Sequence, residues 1–186
     1  MKAAVHVQYG QPEVISILEV ETPTPGDNEL LIKVYATTVN RTDCHILWGK
    51  PLYMRLFTGL LKPRVKVTGT DFAGQVEAIG KNVSHYKVGD RVMGFEFFGL
   101  QSHARCLVLA ETKDMIIIPG DITYEQAISC IEGGFYALNV IQKMKPTAGQ
   151  TALVHGATGA IGSSMVQFFR FYGVSVTAVC GGQHSE

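Results

Sequence analysis

The sequence predicts a two-part chain: a β-rich barrel over residues 1–121, then the opening β-α-β unit of a parallel α/β domain over residues 122–186. Three observations carry that prediction. Seven short runs rich in Val, Ile or Ala, each bounded by Gly, Pro, Asn or Asp, fill the first part. Helical spacing of apolar residues begins near Tyr124 and continues to Met144. Last come the run Thr151-Ala152-Leu153-Val154-His155, a glycine turn, a second helical pattern and the run Val174-Ser175-Val176-Thr177-Ala178-Val179.

The seven runs are residues 2–8, 14–20, 29–39, 69–79, 91–94, 103–109 and 115–118. Their number and shortness predict a small barrel. Pro23, Pro25 and Gly26 break the chain between the second and third runs, and Val88-Gly89-Asp90 turns it ahead of Arg91. Residues 41–48 read as a short helix. Residues 51–63 read as a long loop carrying Tyr53, Met54, Leu56 and Phe57. Apolar side chains on a loop leave two readings open: a lip over a pocket, or a loop packed on its own barrel. Near Asp121 the character changes. Asp121 or Thr123 serves as N-cap for a helix over residues 124–144, with Gly133-Gly134 interrupting it.

The stretch Lys145-Pro146-Thr147-Ala148-Gly149 turns the chain into the run at 151–155, which is apolar in the way a strand buried on both faces requires. Ile161, Met165, Val166, Phe168 and Phe169 then recur at helical spacing up to about Tyr172, and Gly173 ends the helix. Strand, glycine turn, helix and strand together form a phosphate-binding pattern. A helix leaves its first amide groups unpaired and carries partial positive charge there, so an anion sits on its end when no side chain intervenes. In Ala157-Thr158-Gly159-Ala160-Ile161-Gly162 the second and third positions of the dinucleotide fingerprint are Gly159 and Gly162. The second lets the backbone approach a pyrophosphate and the third lets helix and strand pack closely. Ala157 holds the first position, which requires a turn there without positive φ. At the tip of the second strand an acidic side chain would bind an adenosine ribose and repel a 2′-phosphate. The tip reads Cys180-Gly181-Gly182-Gln183-His184, with no carboxylate before Glu186, so NADP(H) is favoured over NAD(H).

Composition excludes several functions. Sixteen basic and sixteen acidic residues cancel, and without a net basic charge, a basic run or an arginine-rich helix there is no electrostatic footprint for nucleic acid or an anionic membrane, so neither is expected as a partner. No apolar stretch reaches the ~20 residues of a membrane span, and the amino end has no signal-peptide core, which makes the cytoplasm the expected location. Cys44, Cys106, Cys130 and Cys180 are scattered, without a C-x-x-C pair, and read as reduced thiols.

With these parts in this order the chain resembles the medium-chain dehydrogenases/reductases. The match rests on Val39-Asn40-Arg41-Thr42-Asp43, on Gly69-Thr70-Asp71-Phe72-Ala73-Gly74 with Val76-Glu77-Ala78-Ile79-Gly80, on Val88-Gly89-Asp90-Arg91-Val92, and on Gly156 to Gly162. Within that superfamily it is similar to the zinc-independent quinone oxidoreductases and their NAD(P)-dependent alcohol dehydrogenase-like relatives. The resemblance implies a GroES-like barrel joined to a Rossmann domain, with hydride passing from a nicotinamide to a quinone, enone or other carbonyl, and a homodimer in the full-length protein. Family members continue well beyond the second Rossmann strand, so the expectation is a chain truncated at its carboxyl end, of doubtful activity alone.

The resemblance also implies site residues. Zinc members of the family use a Cys, a His and a second Cys, and the matching positions here are Asn40, Thr70 and Glu132. The first two are poor zinc ligands, so no catalytic metal is expected; Asp43, Asp71 and Glu132 would hold a hard cation only if they converged. Asn40 is the family's amide in the cleft, holding the nicotinamide ribose or the substrate oxygen. Tyr53 is a candidate proton donor or stacking platform. Phe135 and Tyr136 stand where relatives carry smaller residues beside the cofactor. Besides a reductase, two other classes are open: a non-catalytic nucleotide-binding or structural protein of the same fold, and an interaction module made of the barrel alone, against which the glycine loop argues.

Overall fold

The computed structural model describes residues 1–97 and 100–184; Glu186, the first carboxylate beyond the strand tip, lies outside them. The chain divides into two compact units, Met1–Ile128 and Ser129–Glu186. Between the sequence boundary at 121/122 and this division lies most of one short helix, Tyr124–Ser129.

All seven expected strands of the first unit form: β1 (Lys2–Val5), β2 (Ser16–Glu19), β3 (Glu29–Ala36), β4 (Asp71–Ile79), β5 (Arg91–Phe95), β6 (Cys106–Ala110) and β7 (Met115–Ile117). Five make one antiparallel sheet in the order β6-β3-β4-β5-β7, while β1 and β2 pair separately as a ribbon. The sheet is therefore open where a closed barrel was expected. The ribbon joins the rest only through the isolated bridges Ala3↔Ala104 and Val5↔Val67, too few to complete a ladder, and β7 is only three residues long. Period-two alternation puts Leu30 and Ile32 of β3, Phe72 and Val76 of β4, Val92 of β5, and Leu107 and Leu109 of β6 into one core. Each of these side chains contributes roughly 1.5–3 kcal/mol by leaving water.

Two helices lie between β3 and β4. The expected one, α1, spans Arg41–Trp48. The expected loop at residues 51–63 contains a second, α2 (Met54–Thr58), a single turn too short to show periodicity in sequence. The predicted helix over 124–144 is two helices, α3 (Tyr124–Ser129) and α4 (Ile131–Met144), and the break falls at Cys130 instead of Gly133-Gly134. Thr123 is the cap of α3: its Oγ1 accepts from Gln126 N at 3.2 Å, while Gln126 Oε1 accepts from Thr123 N at 2.9 Å. Gly133 sits inside α4 for a packing reason, since a Cβ there would lie 2.5 Å from the carbonyl oxygen of Ala160.

In the second unit, β8 (Thr151–His155) and β9 (Ser175–Val179) pair in parallel, and α5 (Ala160–Phe171) connects them. Ile141, Val154, Phe169 and Val174 form its core. The strand expected to be buried on both faces is buried on one: Val154 faces that core and Leu153, on the opposite face, is exposed.

Candidate functional site

The glycine loop lies between β8 and α5. Gly156, at φ 73°, makes the left-handed turn that the fingerprint assigns to its first position, so Ala157 keeps negative φ, as its side chain requires. The third position works as expected, because a Cβ on buried Gly162 would come within 2.1 Å of Gly156 O. At Gly159, the N-cap of α5, an added Cβ would meet only Gly156 O at 3.4 Å, and no side chain caps the helix. No acidic residue occupies its first turn. The N–H groups opening α5 thus face a space free of competing side chains, and Thr158, Gly159, Ala160 and Ile161 are all exposed.

Gly156 N and Ala157 N both donate to Val179 O, at 2.9 and 3.1 Å. Those two bonds hold the loop against the end of β9, immediately before Cys180 and Gly181. The structure therefore brings every cofactor residue predicted in this unit around one turn. Elsewhere in the unit Phe135 and Tyr136 make an edge-on ring pair at 5.6 Å. Burial, then the Glu132 charge, raises the Tyr136 phenol above its ordinary value.

Asn40 lies in the first unit, at the start of α1, in a capping box: its Oδ1 accepts from Asp43 N and Asp43 Oδ2 accepts from Asn40 N, both at 3.0 Å. Its Nδ2 donates to Thr70 Oγ1 at 2.8 Å and to Thr38 Oγ1 at 3.4 Å. Two positions that hold zinc in metal-dependent relatives are here bonded to each other. Asp71, fully buried, receives Thr38 N at 2.9 Å and Thr37 Oγ1 at 3.2 Å. The β3–β4 register slips between Val34 and Ala36, and such a bulge re-aims the residues that follow it, here Thr37 and Thr38. Among the described residues no group of three His, Cys, Asp or Glu is placed to hold a metal ion.

Sequence reading missed His103. Its ring bridges Thr68 Oγ1 at 2.7 Å and Thr38 O at 2.9 Å, with Nε2 3.9 Å from Asp43 Oδ2. The polar interruption Gln101-Ser102-His103 ahead of apolar β6 was its only signal in the sequence. Asp43 is buried and its Oδ1 has no hydrogen-bond partner; burial raises its carboxyl above the ordinary value, against the opposing Asn40 N–H and His103 charge. Tyr53 stands exposed at the start of α2. Beneath α2 lies a cavity of about 110 Å³ lined by Ile46, Phe57, Pro63, Val65 and Val67, with Thr58, Thr68 and Gly69 as its polar portion. Neither Tyr53 nor Asn40 lines it.

A strand, glycine turn and uncapped helix following an antiparallel sheet unit is the arrangement of a dinucleotide-binding fold. Residues 26–145 match the alcohol dehydrogenase GroES-like domain, and the chain belongs to that family. Over its whole length it is 33% identical to the quinone oxidoreductase of Sus scrofa, of which it spans 55%. The solved quinone oxidoreductase of Coxiella burnetii superposes with a TM-score of 0.84 at 26% identity, over 98% of this chain and 57% of that one. The Escherichia coli quinone oxidoreductase complexed with NADPH does so at 0.84 and 25%, over 98% and 54%. The chain thus spans about half the length of these relatives. No described helix is long and apolar enough to cross a membrane.

Proposed function

We propose that the chain carries the phosphate cradle and the substrate-side wall of an NADPH-dependent oxidoreductase that reduces a quinone, enone or other carbonyl without a catalytic zinc. One observation supports this most: the amide end of α5 is uncapped, open at Gly159 and tied through Val179 O to a strand tip without a described carboxylate. The cofactor, when bound, supplies the hydride. The amides opening α5, from Ala160 to Gly162, hold its pyrophosphate, and the Cys180-Gly181 tip accommodates the 2′-phosphate. Both Nδ2 hydrogens of Asn40 are used on Thr70 and Thr38, whereas Oδ1 keeps one lone pair beyond Asp43 N. Asn40 is therefore suited to accept from a nicotinamide-ribose hydroxyl and poorly suited to donate to a substrate oxygen. Tyr53 offers a flat substrate its ring or its phenol. The metal-free reading rests on the donor set, an amide bonded to a hydroxyl at two positions where the zinc members of the resembled superfamily have thiolate and imidazole. Four free cysteines agree with a cytoplasmic setting.

Titration of the chain with NADPH and with NADH, read by dihydronicotinamide fluorescence, tests the proposal. NADPH is expected to bind more tightly, and Gly159→Val is expected to abolish binding while leaving the circular dichroism unchanged. A clear NADH preference, or binding that survives Gly159→Val, would sink it. The internal use of Asn40's donors also supports a second reading, a nucleotide-binding member without catalysis. Its signature is NADPH affinity with no turnover of any quinone or enone.

A further inference from the structure

The chain's charges balance overall, but they are segregated. Between Asp43 and Asp71 there is no carboxylate, while Lys50, Arg55, Lys62, Arg64 and Lys66 all fall in that interval. The same interval presents Leu52, Tyr53, Leu56, Phe57, Leu60 and Leu61 to solvent, the last of them 89% exposed. Six exposed apolar side chains within ten consecutive residues point to an interaction surface, unlike the single exposed leucines common on any protein.

This surface is held from behind. Met54, Gly59 and Pro63 are buried. Tyr9 donates through its hydroxyl to Gly59 O at 2.6 Å. The Arg55 guanidinium lies 4.6 Å over the Tyr9 ring, and its Nε donates to Gly49 O at 3.2 Å. Gly59, at φ 125°, sits where a Cβ would meet Lys62 O at 2.1 Å. Arg55 is thus used inside the structure. Lys50, Lys62, Arg64 and Lys66 are exposed, and none of them takes part in an ion pair among the described residues.

We infer that the face formed by α2 and residues 59–66 docks on an anionic lipid surface, with its leucines entering the headgroup boundary and the four exposed cations meeting the phosphates. Apolar side chains flanked by cations, with no acid among them, match such a surface in both of its physical terms. Four of the six exposed apolar side chains are leucines and only two are aromatic, which favours contact with acyl chains over stacking on nucleic-acid bases. The attachment is peripheral, because α2 is a single turn and no described helix crosses a bilayer. This departs from the expectation of no membrane partner, which rested on the balanced net charge and the absence of a contiguous basic run and overlooked five cations spread through an interval without acids.

The test is co-sedimentation of the chain with vesicles of phosphatidylcholine alone and of phosphatidylcholine containing about one quarter phosphatidylserine. Emission from Trp48, the only tryptophan, provides a second readout. Binding is expected only to the anionic vesicles and is expected to weaken as salt rises. Each cation near such a surface is worth about fivefold in partitioning, so Lys62→Gln with Arg64→Gln should cost roughly 25-fold. Leu60→Asp with Leu61→Asp should abolish binding. All four changes are at exposed positions, and circular dichroism checks that both variants fold. Three outcomes overturn the proposal: no vesicle binding; equal binding to both vesicle types, or binding indifferent to the cation variant; and unchanged vesicle binding in a leucine variant that has lost affinity for a long-chain quinone.

Discussion

At three glycines of the second unit, the direction a Cβ would take separates structure from function. At Gly162 and Gly133 it would strike backbone oxygen, at 2.1 and 2.5 Å, whereas at Gly159 it would meet only Gly156 O, at 3.4 Å. Gly162→Ala and Gly133→Ala should each lower stability by about 1–3 kcal/mol in urea titrations, because backbone gives way less readily than side chains. Gly159→Ala should leave the unfolding midpoint unchanged and weaken NADPH binding at least tenfold by fluorescence titration. Buried His6 provides a pH test. Burial lowers its imidazole below the ordinary 6.5, only partly offset by the Gln8 carbonyl, and its Nε2 has no partner. The unfolded chain therefore binds that proton more readily. Stability from this group is complete above about 6.5 and is lost as pH falls from there through the folded value. Thermal melts between pH 7 and pH 5 should fall more steeply for the parent than for His6→Phe. Asp43 has the opposite sign: with its carboxyl raised by burial, its contribution is present at low pH and lost as pH rises through the folded value.

At the scale of elements, α1 joins stability to the site. Asn40→Ala removes the cap and should cost about 1–2 kcal/mol, while Asn40→Ser keeps a capping oxygen and should cost only a few tenths. Both lose the bond to Thr70. If Asn40 holds the nicotinamide ribose, both variants should weaken NADPH binding alike in a protein of the relatives' length, despite their different stabilities. The connection into α3 is fastened by a stack of Tyr35 on Tyr124, with ring centroids 4.6 Å apart, and by Arg91 lying 4.7 Å over Tyr124. The limits of α1 were legible in sequence and Asn40 was singled out through the family resemblance, whereas its capping box with Asp43 emerged only in the structure. The turn α2 was not legible, since its five residues are too few to show a period and its supports, Tyr9 and Gly49, lie outside it in sequence.

At the scale of the whole molecule, the donor set predicts that the purified chain contains well under one equivalent of zinc by elemental analysis, and that a chelator leaves NADPH binding unchanged. A full equivalent of zinc lost together with binding would reverse the reading of Asn40 and Thr70.

Period-two runs, a cap signature and a glycine spacing are properties of neighbouring residues, so the sequence by itself determined the seven strands of the first unit, the limits of α1 and the place of the phosphate loop. What residues distant along the chain do to one another was decided only in three dimensions. The sheet stays open because the ribbon and the main sheet meet at two isolated bridges, a pairing that no local pattern encodes. The glycine pair in α4 is a close approach to Ala160 and no break, because the obstacle lies on another helix. His103 joins Asn40, Asp43 and Asp71 through the fold alone. Its chemistry depends on burial and on partners more than thirty residues away, and hydrogen bonds at that separation leave no periodic trace in a sequence.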